Sequence, residues 1–323
     1  MIWIKDLIDL INFVSGVLFT IITMKKIHKI LENKQNNNGY NYIIMGHSIF
    51  ALISSIFQFI FKFHLIIFDS EIIIIIDFFD NLLFNQNLNR IFISFYTFLC
   101  YSNISFPTAI VFASYTIMCR NIPLSKGKTI AIILYIILAG IITCIPVFFM
   151  FQSELPSNVW IKYVELRNYQ TLLISKSSRA ISCKATSSLV HLLFYLYASY
   201  FSINIVIIFC FYYKYLSYMK QWNLIMSNHT RHMYIDFTRL LTFQAFFPII
   251  LILIPIIFLY IGVAFGFYEE VELYGTKVYQ LICSISTVNS ILFLILPNKN
   301  RRELKNFFQK NIYKNSCYYI DKN

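Results

Sequence analysis

The chain has 323 residues, 58 % of them hydrophobic and 13 % charged, with a mean hydropathy of +0.63. Soluble domains carry about a quarter charged residues. Here the apolar residues gather in blocks of about 20, the length that crosses about 30 Å of hydrocarbon, so a soluble globular domain is excluded. The net charge of +12 comes with no recognition module or aromatic–basic repeat, so nucleic acid is not an expected partner. Basic internal loops facing an anionic lipid bilayer account for it.

Seven blocks are read as spans, near residues 2–24, 41–61, 91–118, 129–151, 191–213, 238–266 and 277–297. The expected fold is an all-α membrane protein: a seven-transmembrane-helix bundle over residues 1–297, with its N-terminus outside, and a basic cytoplasmic tail over 298–323. The first block is read as a signal anchor rather than a cleaved signal peptide. Lys5, Asp6 and Asp9 lead it in place of a basic cluster, no small-residue cleavage site follows, and "MKKIHK" comes after. In this orientation the internal segments, counting Arg239, carry two thirds of the 27 Lys and Arg residues, as the positive-inside rule requires. The loop after the fourth span dissents, with Lys162, Arg167, Lys176, Arg179 and Lys184, but its length reduces its weight.

Residues 63–84, "FHLIIFDSEIIIIIDFFDNLLF", are apolar enough to compete for an eighth span. Asp69, Glu71, Asp77 and Asp80 would be costly in lipid, so the segment is read as the outer end of the second span plus an external segment.

What the spans lack narrows the function. Coupled transporters place ionisable groups near the midplane, whereas spans three, four, six and seven have no acid or base in their middle. His47 in span two and His191 at the mouth of span five are read as packing residues. Asp77/Asp80 and His229/His232 are pairs in expected loops, without further ligands at metal spacing. No phosphate loop, nucleophile elbow or zinc-protease helix occurs. Neither an enzyme nor a cofactor is expected.

Cysteine usage leaves two readings open. Cys183 sits in a long external loop, an oxidising place, and its one plausible partner is Cys100 on span three. A disulfide there requires the loop to dip until the Cα atoms are within about 7 Å; free thiols are the other reading. Cys317, near the basic tail, is a candidate for lipidation or a plain free thiol.

The stretch "LLTFQAFFPIILILIP" at 240–255 carries Gln244, Pro248 and Pro255 in a segment without charge. Each proline deletes the N–H that would bond the carbonyl four residues earlier. Pro248 thus frees the carbonyl of Gln244, and Pro255 that of Leu251. The breaks fall seven residues apart, on nearly one face. Neighbouring side chains or water satisfy such groups in membrane helices, and the Gln244 amide can reach another helix for about 1 kcal/mol. A hinge and a static kink both fit.

These residues resemble the nematode seven-transmembrane chemoreceptors of the Str superfamily, which includes the Srd, Srh, Sri, Srj and Str groups. The sixth-span stretch is similar to that family's Gln, Ala or Thr, then Pro and a second Pro, and the Gln–Ala pairing leans toward Srd. "GYNYIIMGHSIFALISSIFQFI" at 39–60 is similar to its glycine–tyrosine start of span two, and "PNKNRRELKNFF" at 297–308 to its paired arginines opening the tail. One departure stands out: where the family ends span three with an aromatic–Arg–aromatic triplet, Tyr115 is followed by Thr116. Arg120 lies about one helical turn further on.

The resemblance implies a G-protein-coupled chemoreceptor in the plasma membrane of sensory cells, binding a small odorant-like ligand and a heterotrimeric G protein. The implied hinge is Gln244, Pro248 and Pro255, and the implied G-protein side Tyr115, Arg120, Lys220, Arg239, Arg301 and Arg302. An outer-half ligand pocket would hold Phe95, Cys100, Tyr195, Tyr260 and Tyr279. Leu304, Phe307, Phe308 and Ile312 fall at i, i+3, i+4 and i+8 among basic residues, the pattern of a short amphipathic helix on the inner leaflet. The alternatives are an inverted-topology, seven-span ligand-gated cation channel and, further off, a membrane transporter.

Overall fold

The computed structural model describes residues 2–32, 39–61, 63–68, 71–76, 86–120, 122–151, 180–222, 227–267, 271 and 288–296. Long helices dominate: α1 (Ile2–Glu32), α2 (Gly39–Phe61), α3 (Gln86–Arg120), α4 (Lys126–Met150) and α5 (Ser188–Trp222). Helix α6 (Asn228–Pro248) runs through a π-helical turn, Ile249–Leu253, into α7 (Ile254–Ala264). Helix α8, the last among the described residues, covers 288–295. Six helical segments among the described residues are long and apolar enough to cross a membrane. Most of the expected seventh span, up to residue 287, lies outside the described residues.

Several helices run beyond their apolar blocks. Helix α5 reaches Trp222 and α1 reaches Glu32, because a helix satisfies its own backbone and can continue into water with polar side chains. Hydropathy marks only the part that lipid demands. His232 accordingly stands on the first turns of α6, not in a loop, as does the backbone of His229. No group of three or more potential metal ligands occurs among the described residues.

The all-α expectation needs a correction. The protein is mostly helical, but residues 63–68 and 71–76 form strands β1 (Phe63–Phe68) and β2 (Glu71–Ile76), joined by β3 (Ala180–Lys184) in one antiparallel sheet of order β1-β2-β3. Residues 63–76 of the competing span therefore pair as a hairpin, with Phe68 opposite Glu71 and two residues between them. β-Branched isoleucine fits a pleated, buried surface, and β2 as the central strand buries Ile73, Ile74, Ile75 and Ile76. The sheet packs over one end of the bundle. Phe61, Phe63, Ile74, Ile93, Tyr96, Val147, Ile181 and Leu193 make a common apolar cluster there.

Helix α3 is central, since residues 101–111 are buried without interruption. Its small and polar residues let neighbours approach closely, as helix contacts in lipid require. Opposite it, Gly140 of α4 has no room for a Cβ, which would meet Ser102 Oγ at 2.7 Å and the Phe98 ring at 2.8 Å. Asn103 Nδ2 donates to Ser54 Oγ of α2 at 2.8 Å. Thr20 of α1 and Ser290 of α8 share a hydrogen bond of 3.2 Å, so α1 and α8 are neighbours. By contrast α4 leaves Ile130, Leu134, Leu138, Ile142, Ile145 and Phe149 exposed, an apolar face that suits lipid rather than water.

The end opposite the sheet holds the start of α2, the end of α3 and the start of α4. Ser125 caps α4, its side chain accepting from the Lys128 N–H, as capping serines do. Gly39 opens α2 where a Cβ would stand 2.7 Å from Leu124 Cβ and 2.8 Å from the Leu124 carbonyl oxygen. The glycine–tyrosine pair at this point therefore has a steric cause. Gly39 admits the 122–125 loop, and Tyr40 packs on Phe237 of α6 at 6.2 Å.

Candidate functional site

Two prolines in an apolar helix produce a local change of helical pitch. Pro248 ends α6, Pro255 is the second residue of α7, and the five residues Ile249–Leu253 are π-helical. A proline in the first turn of a helix needs no N–H, which explains where α7 restarts. The wider i→i+5 turn before it accommodates the break in the ordinary ladder. The double kink expected from sequence is thus a π turn bounded by prolines.

That turn touches two parts of the core. Ile249 packs on the large apolar cluster of Phe106, Ile110, Tyr215, Leu241 and Ala245. Leu251 packs on a separate cluster of Tyr101, Ile104 and Phe201, with Tyr197 and Tyr200. Ile250, between them, is 55 % exposed. Gln244, one turn before Pro248, is buried, and its Oε1 has no hydrogen-bond partner among the described residues. Among the described residues, the interhelical bond expected through that oxygen has no partner.

The cluster under Leu251 is polar as well as aromatic. The Tyr200 hydroxyl donates to the Tyr101 carbonyl at 3.0 Å, which leaves Ser105 the donor in its own hydrogen bond to Tyr200. Thr108 Oγ1 donates to Asn204 Oδ1 at 2.7 Å, and Asn204 Nδ2 donates to the Tyr200 carbonyl at 2.9 Å. Tyr197 stacks on Tyr101 at 4.5 Å and donates to the Thr143 carbonyl of α4 at 3.3 Å. Residues 101, 105 and 108 share one face of α3, and 197, 200, 201 and 204 one face of α5. This node joins α3, α4 and α5 to the π turn.

The pocket residues expected from sequence are placed otherwise. Phe95 is 40 % exposed and Tyr195 65 % exposed, both on outer faces. Tyr96, one residue on from Phe95, and Tyr197, two on from Tyr195, turn inward, because each residue adds about 100° of helix rotation. Cys100 is half-buried against the sheet-end cluster, which also contains Cys183. The loop strand does reach α3, yet both cysteines are free thiols, which corrects the disulfide reading. Burial, with the nearby Glu71 carboxylate, pushes the Cys183 thiol well above the ordinary range. Tyr260 falls in α7, and Tyr279 lies outside the described residues.

The node escaped the sequence reading, but "YSNISFPT" at 101–108 carried a signal. Four small polar residues in seven positions of an apolar helix must find partners in lipid.

At the end opposite the sheet, Arg120 sets its guanidinium 5.9 Å from the centre of the Tyr115 ring, a cation–π distance. Tyr115 in turn packs on Phe211 of α5 at 5.3 Å, and Lys214 Nζ lies 5.9 Å from the centre of the Phe211 ring. Thr116, in the position where the resemblance leads one to expect arginine, donates back to the Phe112 carbonyl at 2.9 Å. Helices α5 and α6 are tied by Tyr212–Thr242 at 2.6 Å and Tyr215–Thr238 at 3.0 Å. Lys220 and Arg239 are exposed nearby in sequence to these ties. Arg301, Arg302, Cys317 and the amphipathic tail pattern lie outside the described residues.

Six membrane-length helical segments among the described residues, with α3 buried among the others and α1 bonded to α8, define a multi-pass helical membrane protein. The family model described as "Serpentine type 7TM GPCR chemoreceptor Str" matches residues 4–305, so the chain belongs to the Str family of serpentine seven-transmembrane chemoreceptors. This is a chemoreceptor family and not an enzyme family, and the match gives no support to the channel or transporter alternatives. Among curated proteins none matches the chain.

Proposed function

We propose that this protein is a G-protein-coupled chemoreceptor of a sensory-cell plasma membrane that detects a small, largely apolar environmental ligand. Its seven spans lie near the blocks read from sequence, with the N-terminus outside and a short amphipathic helix after the last span. The Gln244–Ala245 pairing leans toward the nematode Srd group. The observation that carries the mechanism is the π turn, which sets Leu251 against the tyrosine node and Ile249 against the core beside Tyr215. One deformable turn therefore reports on both regions. π-Bulges are frequent at functional sites, and packed interfaces shift between discrete arrangements rather than bending continuously.

Ligand binding beside the node would favour one packing of span six, a population shift requiring different affinities for the two states. The pocket is lined by Tyr101, Tyr197, Tyr200 and Phe201 in place of Phe95 and Tyr195; Cys100, Tyr260 and Tyr279 are its further candidates from sequence. On the cytoplasmic face Tyr115, Arg120, Lys220, Arg239 and the Arg301–Arg302 pair meet the G protein. Arg120, held over Tyr115, takes the role that arginine would have at position 116.

The test is G-protein activation in cells expressing the receptor, screened with odorant mixtures, for the wild type, Pro248→Ala and Pro255→Ala. The proline variants should reach the surface and lose most of the ligand-evoked response. Unchanged responses would sink the hinge, and a ligand-gated current without G-protein activation would favour the channel.

A further inference from the structure

A groove between α1 and α2 opens on the outside of the bundle, apart from the node and the π turn. Its volume is about 340 Å³, and it is lined by Ile21, Met24, Lys25 and His28 of α1 and by Met45 and Leu52 of α2. The α1 residues fall at i, i+3, i+4 and i+7, so they form one stripe. Met45 and Leu52 are seven residues, about two turns, apart.

The chemistry is graded along the groove. Ile21, Met24 and Leu52 are apolar, while Lys25 and His28 stand toward the end of α1, His28 about 10 Å of helix rise beyond Ile21. Glu32, the one acid in the second half of α1, is engaged by His28 at 3.3 Å. Lys25 is exposed and has no ion-pair partner among the described residues. The flank is open to lipid, with Ile49 and Ile53 of α2 each 40 % exposed. A water-borne anion gains nothing from such a wall, whereas a lipid matches both ends of it.

We propose that this groove binds an anionic phospholipid, one acyl chain lying along Ile21, Met24, Met45 and Leu52 and the phosphate meeting Lys25. Basic pockets between membrane helices on the cytoplasmic side recognise acidic headgroups in this way. The site rests on the reading of α1 and α2 as membrane spans, and in the proposed orientation Lys25 faces the inner leaflet, where acidic lipids concentrate. Occupation would clamp α1 on α2, and through the Thr20–Ser290 bond the closure with α8.

Native mass spectrometry of the delipidated full chain, titrated with phosphatidylserine and phosphatidylcholine, tests the proposal. Phosphatidylserine should be retained in preference, and Lys25→Gln should weaken its retention about fivefold, the factor for one basic side chain near an acidic headgroup. Ile21→Trp, at an exposed position, should block retention with charge unchanged. Lys128→Gln, which removes an exposed lysine from the same end of the bundle outside the groove, should have little effect. Equal retention of phosphatidylcholine, equal loss in Lys128→Gln and Lys25→Gln, or an inert Ile21→Trp would each overturn the site. None of these outcomes bears on G-protein activation, so the receptor reading stands or falls separately.

Discussion

The contact between α3 and α5 under the π turn makes a measurable prediction. Asn204 is 6 % exposed and makes two hydrogen bonds, one from Thr108 across the helices and one to the Tyr200 carbonyl within its own helix. Asn204→Leu keeps the branched, four-heavy-atom shape of the side chain, though bulkier, and removes both. The Tyr200 carbonyl keeps its ordinary place in the helical ladder, so the bond that counts is the one from Thr108. Interhelical bonds in membranes average about 0.6 kcal/mol and reach about 1.7 kcal/mol. A threonine freed of its partner turns back to the carbonyl four residues earlier, which limits the cost. A cycle of Thr108→Val, Asn204→Leu and the double variant should therefore show a coupling of about 1 kcal/mol. The assay is reversible unfolding of purified receptor in bicelles, followed by a probe on α5. Additive effects, with coupling below about 0.3 kcal/mol, would mean that the node does not hold these helices together.

The other predictions follow from the same structure. Gly140→Val should overpack the α3–α4 contact and cost about 1–3 kcal/mol, read as lower surface expression and a lower unfolding temperature. Gly39→Val should do the same at the start of α2. Tyr115→Leu and Arg120→Gln should reduce G-protein activation together, since one holds the other; full activity in both would remove that pair from the coupling surface. Cys183, buried and with its thiol pushed upward, holds little thiolate at neutral pH, and thiolate is the reacting form. Its alkylation should be at least about tenfold slower in the folded protein than after denaturation in SDS, and should speed up as pH rises.

Much of the helical plan was legible because lipid imposes a strong rule: every span must be long, apolar and self-bonded. The segment at 63–84 shows the limit of that rule. Its four acids argued against a span, but hydropathy carries no information about strand pairing, and β2 finds its partner β3 more than a hundred residues later. The prolines of span six announced a break, whereas the π form depends on how Ile249 and Leu251 pack. Pocket residues are the least legible. Phe95 and Tyr195 differ from the inward-facing Tyr96 and Tyr197 only by rotation about their helices, and in a chain with 18 % aromatic residues composition cannot supply that angle. The Ser–Asn–Ser–Thr run of α3 was the better guide, since polar groups in lipid reveal where partners must be.

Orientation is the claim on which the receptor account turns, and the chain carries its own reporter. "NHT" places a glycosylation acceptor at Asn228, at the start of α6, and "NIS" a second at Asn103, which is buried against Ser54. The measurement is accessibility of tags at both termini in intact and permeabilised cells, combined with a glycan assay at Asn228. The account predicts an N-terminal tag reached in intact cells, a C-terminal tag reached only after permeabilisation, and a bare Asn228. Reversed tags with a glycosylated Asn228 would contradict it and favour the inverted channel.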